Sequence, residues 1–139
     1  MQLNPYLAFN GECEDAMNFY KDCLGGEIES LNRFKDGPKE MMGEPVPEHL
    51  LGKVMHMTLR FDENVIMASD SMKQQTVGGN VTLSIGMDSV EKMDAIFNKL
   101  SSGGEVSMPL QDTFWGARFG MFTDKFGVSW MFNCHGKNE

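Results

Sequence analysis

Basic residues are scarce in this chain. It carries 12 Lys and Arg against 20 Asp and Glu, a formal charge of −8. A nucleic-acid surface needs clustered cations to meet the phosphate backbone, so no nucleic-acid partner is expected. No apolar run is long enough to span a bilayer, and the N-terminus lacks the basic and apolar regions of a signal peptide. No membrane partner is expected, and the expected location is cytoplasmic. Cysteine is sparse as well. Cys13, Cys23 and Cys134 make an odd number without metal-ligand spacing, which fits reduced intracellular thiols. The chain also lacks a serine or cysteine nucleophile signature and a Gly-rich nucleotide loop after its first strand.

What is present is a repeat. Gly25-Gly26-Glu27-Ile28 returns as Gly103-Gly104-Glu105-Val106, a shift of 78 residues from Gly26 to Gly104. At the same shift Leu7 falls on Ile85, Phe9 on Met87 and Phe19 on Phe97. Each copy reads strand, helix, Gly-Gly, strand. Two copies of one supersecondary unit predict a pseudo-twofold fold with a ligand cavity between related sheets. The predicted organisation is a single domain over 1–139, made of modules 1–70 and 80–135 joined by a linker at 71–79.

Alternation and helical periodicity place the elements. Leu3 to Phe9 alternates, with Pro5, Leu7 and Phe9 on one face and Asn4, Tyr6 and Ala8 on the other. Asn10 is a candidate cap for the helix that follows, whose buried stripe is Cys13, Ala16, Met17, Tyr20 and Leu24. Gly25-Gly26 ends that helix. Glu27 to Phe34 is a strand. Residues 35–52 are rich in Pro and Gly and read as a long loop without a ladder. Val54 to Phe61 and Val65 to Ser69 complete a βαβββ module. The second module has strands near 81–87, 105–108, 117–123 and 128–133, with a helix starting at a capping box of Asp88 and Glu91. Aligning Phe61 with Phe122 makes the first module's middle connection 17 residues longer (the 78-residue shift less the 61 from Phe61 to Phe122).

The fold class that follows is α+β. Two βαβββ modules form curved mixed sheets around a cup, with the helices on the outer face. On the strand 54–61, Met55, Met57, Leu59 and Phe61 form the apolar face and His56, Thr58 and Arg60 the polar one. Polar groups on that face need partners or water, which suits a cup. His56 is a candidate for binding or proton transfer, as a cavity histidine, or else a histidine hydrogen-bonded across the sheet. Asp70, at the end of the fourth strand, is a candidate to orient His56, or else a turn cap. Arg60 is a candidate to hold a ligand carboxylate or phosphate, or else a structural ion pair. Arg118 falls on the face opposite Ala117, Phe119 and Met121, away from the cup. Trp115, beside Gly116 in a loop, is a candidate to close over a ligand, to make a dimer contact or to pack in the core. Trp130 shares a face with Val128 and Phe132 and reads as core.

The residues also carry a resemblance. The paired modules, Asn18-Phe19-Tyr20 with Leu24-Gly25-Gly26, and Asp124-Lys125-Phe126-Gly127 resemble the vicinal oxygen chelate superfamily of glyoxalases, bleomycin-resistance proteins and extradiol dioxygenases. Pro5-Tyr6-Leu7-Ala8-Phe9-Asn10-Gly11, Met55-His56-Met57, Ala68-Ser69-Asp70 and Phe126-Gly127-Val128-Ser129-Trp130 are similar to its PhnB-like branch. The resemblance implies a homodimer. It also implies a divalent metal held by four side chains, from the first and last strands of each module. The matching positions are Asn4, Met67, Asn80 and Met131, which supply neither His nor carboxylate. Thioethers prefer soft ions, so no metal and no cofactor are expected at this set.

Three readings of function stay open at this point, one of them a structural dimer with no ligand. The first is a metal-independent protein that binds an unknown small molecule through Tyr6, His56, Thr58, Arg60, Trp115, Met67 and Met131. The second is a small-molecule-transforming enzyme, of lyase, isomerase or dioxygenase type, using His56 and Asp70 with or without an unconventional metal.

Overall fold

Secondary structure in the computed structural model follows the alternation of the sequence. The structure describes every residue except Met42, Thr76, Val77, Trp115 and 136–139. The chain divides into two compact units, Met1–Thr76 and Val77–Glu139.

In the first unit, β1 (Tyr6–Phe9) leads into α1 (Cys13–Leu24) and β2 (Glu27–Arg33). A small hairpin follows, β3 (Glu40–Met41) with β4 (Glu44–Pro45), between short 3-10 turns at Phe34–Asp36 and Glu48–Leu50. A ladder therefore does form inside the segment expected to be loop. Phe34 and Leu50 are buried and fasten its two ends. β5 (Val54–Phe61) and β6 (Asn64–Asp70) complete a four-stranded sheet of order β1-β6-β5-β2, with β1 parallel to β6 and the other pairs antiparallel.

The second unit repeats this plan. β7 (Leu83–Met87), α2 (Val90–Leu100), β8 (Glu105–Asp112), β9 (Arg118–Thr123) and β10 (Ser129–Cys134) give a sheet of order β7-β10-β9-β8. β7 is again the parallel partner, now of β10. Both units are thus βαβββ modules with the same strand order, and the α+β expectation holds.

Pairing registers correct the alignment of the repeat. Ile28 faces Leu59, and Val106 faces Phe122. Ile28 and Val106 are 78 residues apart, whereas Leu59 and Phe122 are 63 apart. The equivalent of Phe122 is therefore Leu59, not Phe61, and the extra connection in the first module is 15 residues (78 less 63) rather than 17.

Each helix covers one face of its own sheet. α1 buries Cys13, Ala16, Met17, Tyr20 and Cys23 against the β5 and β6 side, with Cys23 in place of the expected Leu24. α2 buries Met93, Ile96, Phe97 and Leu100. Phe97 meets Phe122 and Phe132 edge-on, at ring-centre distances of 4.9 and 5.6 Å. Such side chains each contribute about 1.5–3 kcal/mol by leaving water.

One detail of β5 departs from strict alternation. Val54 and Met57 are both fully buried, and Met55 is only half-buried. The β2–β5 register shifts between Asn32 and Arg33, so Val54 takes the inward place expected of Met55. Beyond this bulge the alternation is as expected: Met57, Leu59 and Phe61 are buried, and His56, Thr58 and Arg60 are not.

Candidate functional site

The polar face of the first module's sheet is built from four strands. Across one row lie Tyr6 of β1, Met67 of β6, Thr58 of β5 and Ser30 of β2, each the direct partner of the next. Direct partners share a face, so these four side chains stand together. His56 lies two residues from Thr58 and therefore on the same side. The Tyr6 ring stacks on the His56 ring at 5.9 Å between centres and 25° between planes. Thr58 Oγ1 and His56 Nε2 are 3.2 Å apart and share a hydrogen bond whose direction follows the imidazole tautomer. Tyr6 remains 51 % exposed, so this assembly presents an aromatic surface to whatever approaches.

Arg60 stands on the same face but is committed elsewhere. Its Nε lies 3.0 Å from Glu29 Oε1, with both side chains nearly half exposed. Glu29 sits where the β2 register shifts between Ile28 and Ser30, and sequence alternation alone did not single it out. The structural ion pair, one of the two readings of Arg60, is the one observed. A ligand anion would have to compete with Glu29 for this guanidinium.

Asp70 also has a different role from the orienting one. It is 2 % exposed. Its Oδ1 accepts from the backbone N–H of Gly11 and of Cys13, each at 2.9 Å, and its Oδ2 accepts from Val54 N–H at 3.0 Å. The carboxylate thus caps the start of α1 and braces the start of β5. His56 is bonded to Thr58, not to Asp70. The expected cap, Asn10, instead clasps Gln75, donating to its carbonyl at 3.1 Å and accepting from its N–H at 2.7 Å.

Burial pushes the Cys13 thiol well above its ordinary range, and the nearby carboxylates of Asp70 and Glu14 push the same way. Cys13, Cys23 and Cys134 are buried and outside any disulfide, and the shift keeps Cys13 in the unreactive thiol form. Arg118 pairs with Asp94 of α2 at 3.0 Å, on the helix side of its sheet as expected. Trp130 is 1 % exposed and donates from Nε1 to Asp124 Oδ2 at 2.9 Å, so it is core. Trp115 lies outside the described residues.

A cleft of about 480 Å³ opens where three loops of the first unit meet, lined by Gly11, Asp15, His49, Lys53, Ser71 and Lys73 among others. None of the described sequence-predicted site residues lines it.

The four positions implied for a divalent metal do not suit one. Asn4 precedes β1 and Asn80 precedes β7. Met67 directly faces Tyr6 and Thr58, and Met131 directly faces Ser84 and Met121. Neither pair offers an imidazole or a carboxylate. Among the described residues, no group of three or more His, Cys, Asp or Glu is placed to hold a metal ion. No helix among them is long and apolar enough to cross a membrane.

Comparison with known proteins places this geometry. Protein YjdN of Escherichia coli (strain K12) is 35 % identical over 139 residues, covering 96 % of this chain and 95 % of that protein. The crystal structure of protein PA1353 from Pseudomonas aeruginosa is similar with a TM-score of 0.86 at 40 % identity, covering 97 % of this chain and 98 % of the other. The PhnB protein of Bacillus cereus, provisionally described as a 3-demethylubiquinone-9 3-methyltransferase, is similar with a TM-score of 0.79 at 28 % identity, covering 96 % and 99 %. The family model of the Glyoxalase/Bleomycin resistance protein/Dioxygenase superfamily matches residues 2–132. With that match across both modules, the chain belongs to the Glyoxalase/Bleomycin resistance protein/Dioxygenase superfamily.

Proposed function

We propose that this protein binds a small molecule on the polar sheet face of its first module and does so without a divalent metal. The observation that carries this reading is the Tyr6–His56 stack, held in place by the hydrogen bond between His56 and Thr58. Rings fixed by packing and a hydrogen bond bind at low entropic cost. Met67 lies beside Tyr6 and adds an adaptable apolar surface. A ligand with a flat apolar body and one hydrogen-bonding group suits these neighbours. The lack of any imidazole or carboxylate at Asn4, Met67, Asn80 and Met131 supports the metal-independent part of the proposal.

The enzyme reading rests on His56 alone. A general base is usually oriented by a second group, and here that group is the hydroxyl of Thr58 rather than a carboxylate. The committed Asp70 therefore favours binding over turnover. Methyl transfer from a nucleotide-type cofactor gains no support from the first βα turn either, because Asp70 already occupies the Gly11 and Cys13 N–H groups. We place the protein in the cytoplasm, supported by its three buried cysteines outside any disulfide, and as a homodimer, supported by the family resemblance.

A thermal-shift screen of a metabolite panel, in chelator, tests the proposal. Hits should stabilise the wild-type protein, and Tyr6→Ala and His56→Ala should each remove the shift. A hit whose shift survives both changes overturns the site. Conversion of a hit by wild-type protein but not by His56→Ala would replace binding with catalysis.

A further inference from the structure

Methionine is abundant, at 13 residues, and the pairing of the second sheet sorts three of them into one row. Met131 of β10 directly faces Met121 of β9, and Met121 directly faces Met108 of β8. Direct partners on neighbouring strands have Cβ atoms about 4.5–5.5 Å apart and point to the same side. The β8–β9 register shifts on both sides of Met108, which brings it opposite Met121. The side is settled by burial. Trp130 and Phe132 flank Met131 and are buried, as Phe122 is beside Met121, so the three methionines share the face away from α2. All three are partly exposed. Ser84 of β7 closes the row beyond Met131. The adjoining rows bring Asn133 with Phe119, and Thr123 with Ser129, whose hydroxyls lie 3.4 Å apart.

We propose that Met108, Met121 and Met131 form a binding site for a soft monovalent cation of the Cu(I) class. Three thioethers on adjacent strands offer three soft donors to one ion. Met side chains are unbranched and flexible enough to converge on it. Thioether sulfur selects Cu(I) over hard divalent ions, so the chemistry that makes Met131 a poor ligand for the family's metals makes it a good one here. The surrounding side chains are one neutral amide, hydroxyls and a phenyl ring, which leaves the ion's charge to the acidic chain as a whole. Binding involves no electron transfer; the ion enters and leaves as the monovalent form. This site lies wholly in the second module and does not depend on the Tyr6–His56 reading.

Ag(I), a redox-inert monovalent probe, tests it on the full chain with methyl-labelled methionine followed by NMR. One ion per chain should shift the methyl signals of Met108, Met121 and Met131 together, and Zn(II) should shift none of them. Cu(I) kept reduced by ascorbate should compete with Ag(I). Met121→Leu conserves volume and should fold. It should weaken binding by about 10- to 100-fold or more, since changes even beyond the ligand sphere cost that much. Met131→Leu is the second variant of the same test. Cys134→Ala should leave binding unchanged. Still signals at these three methyls, binding that both leucine variants leave intact, or binding that Cys134→Ala abolishes would each overturn the proposal.

Discussion

The two modules start their helices by different means. α2 carries its own cap: Ser89 Oγ accepts from Lys92 N–H at 3.2 Å. α1 has Glu12 in that place, and its side chain makes no capping bond. The cap comes instead from Asp70, 57 residues away from Cys13 in sequence. Register shows what the second module puts at the matching point. Phe9 pairs with Asp70, and Met87, its repeat equivalent, pairs with Cys134. A buried carboxylate stands where the helix needs a distant cap, and a buried thiol where it does not. The second module keeps its buried carboxylate elsewhere. Asp124, 3 % exposed, accepts from Phe126 N–H, Val128 N–H and Trp130 Nε1–H in the last turn. One fold plan thus tolerates its charged braces at different ends.

Removing each cap should break this comparison most sharply. Asp70→Ala leaves three backbone N–H groups in or near the core without partners, at about 1–3 kcal/mol each, so the loss should be at least about 3 kcal/mol. Ser89→Ala removes one exposed cap bond and should cost about 1 kcal/mol. Urea unfolding of both variants checks this. Equal losses would show that Asp70 is no more than an ordinary cap.

The Gly-Gly repeat should behave alike in both modules. A Cβ on Gly26 would strike the Arg60 carbonyl and come within 2.8 Å of Phe61 Cα. A Cβ on Gly104 would strike the Thr123 carbonyl and come within 2.8 Å of Asp124 Cα. In each case the helix-to-strand turn passes directly over the third core strand. Forcing atoms into such contacts costs about 1–3 kcal/mol. Gly26 also has φ +96°, which a side chain adopts at a further cost of about 1–2 kcal/mol. Thermal unfolding should therefore rank Gly26→Ala below Gly104→Ala, with both below wild type. Gly25→Ala meets nothing within 4 Å and should pay only for its φ of +83°. A benign Gly104→Ala would mean that the repeat is not a packing requirement.

Much of this was legible in the residues themselves. The recurrence of Gly26 at Gly104 and the alternation of β5 carried the βαβββ plan and the face shared by His56, Thr58 and Arg60. Partners were less legible. Glu29 reaches Arg60 because a bulge in β2 breaks the alternation, and nothing local in the sequence marks a bulge. Asp70 reads as a strand-end acid whether it caps α1 or orients His56; only its three-dimensional neighbours decide. The second cap was misplaced by one residue, since Asp88 and Glu91 have the spacing of a capping box while Ser89 makes the bond. The row of Met108, Met121 and Met131 was hidden for a similar reason. It depends on pairing between strands, which periodicity within a strand does not report.

The smallest expected effect concerns the ion pairs that tie each helix to its sheet. In the second module Arg118 joins Asp94 of α2, with Asp112 of β8 further off at 3.7 Å. In the first, Arg33 grips both oxygens of Glu14 at 2.9 Å and also donates to the Gly52 carbonyl at 3.0 Å. The second contact fastens the inserted segment that only this module has. Hydrogen bonding to Arg33 holds the Glu14 carboxyl below its usual range. A carboxyl lowered in the folded state adds stability above its unfolded value, about 4.3, and loses it as pH falls through the folded value. The loss should therefore appear on the acid side of about pH 4.3 and not near neutrality. It should be small, because both side chains are part-exposed and screened by water. Glu14→Gln should unfold more easily than wild type at neutral pH, and the two stability curves should converge as the pH falls below that range. Hydrogen exchange should quicken first in 34–53, where Arg33 anchors the insertion, and less in the second module. Curves that stay parallel from neutral to acid pH would show that the pair contributes contact but no charge-dependent stability.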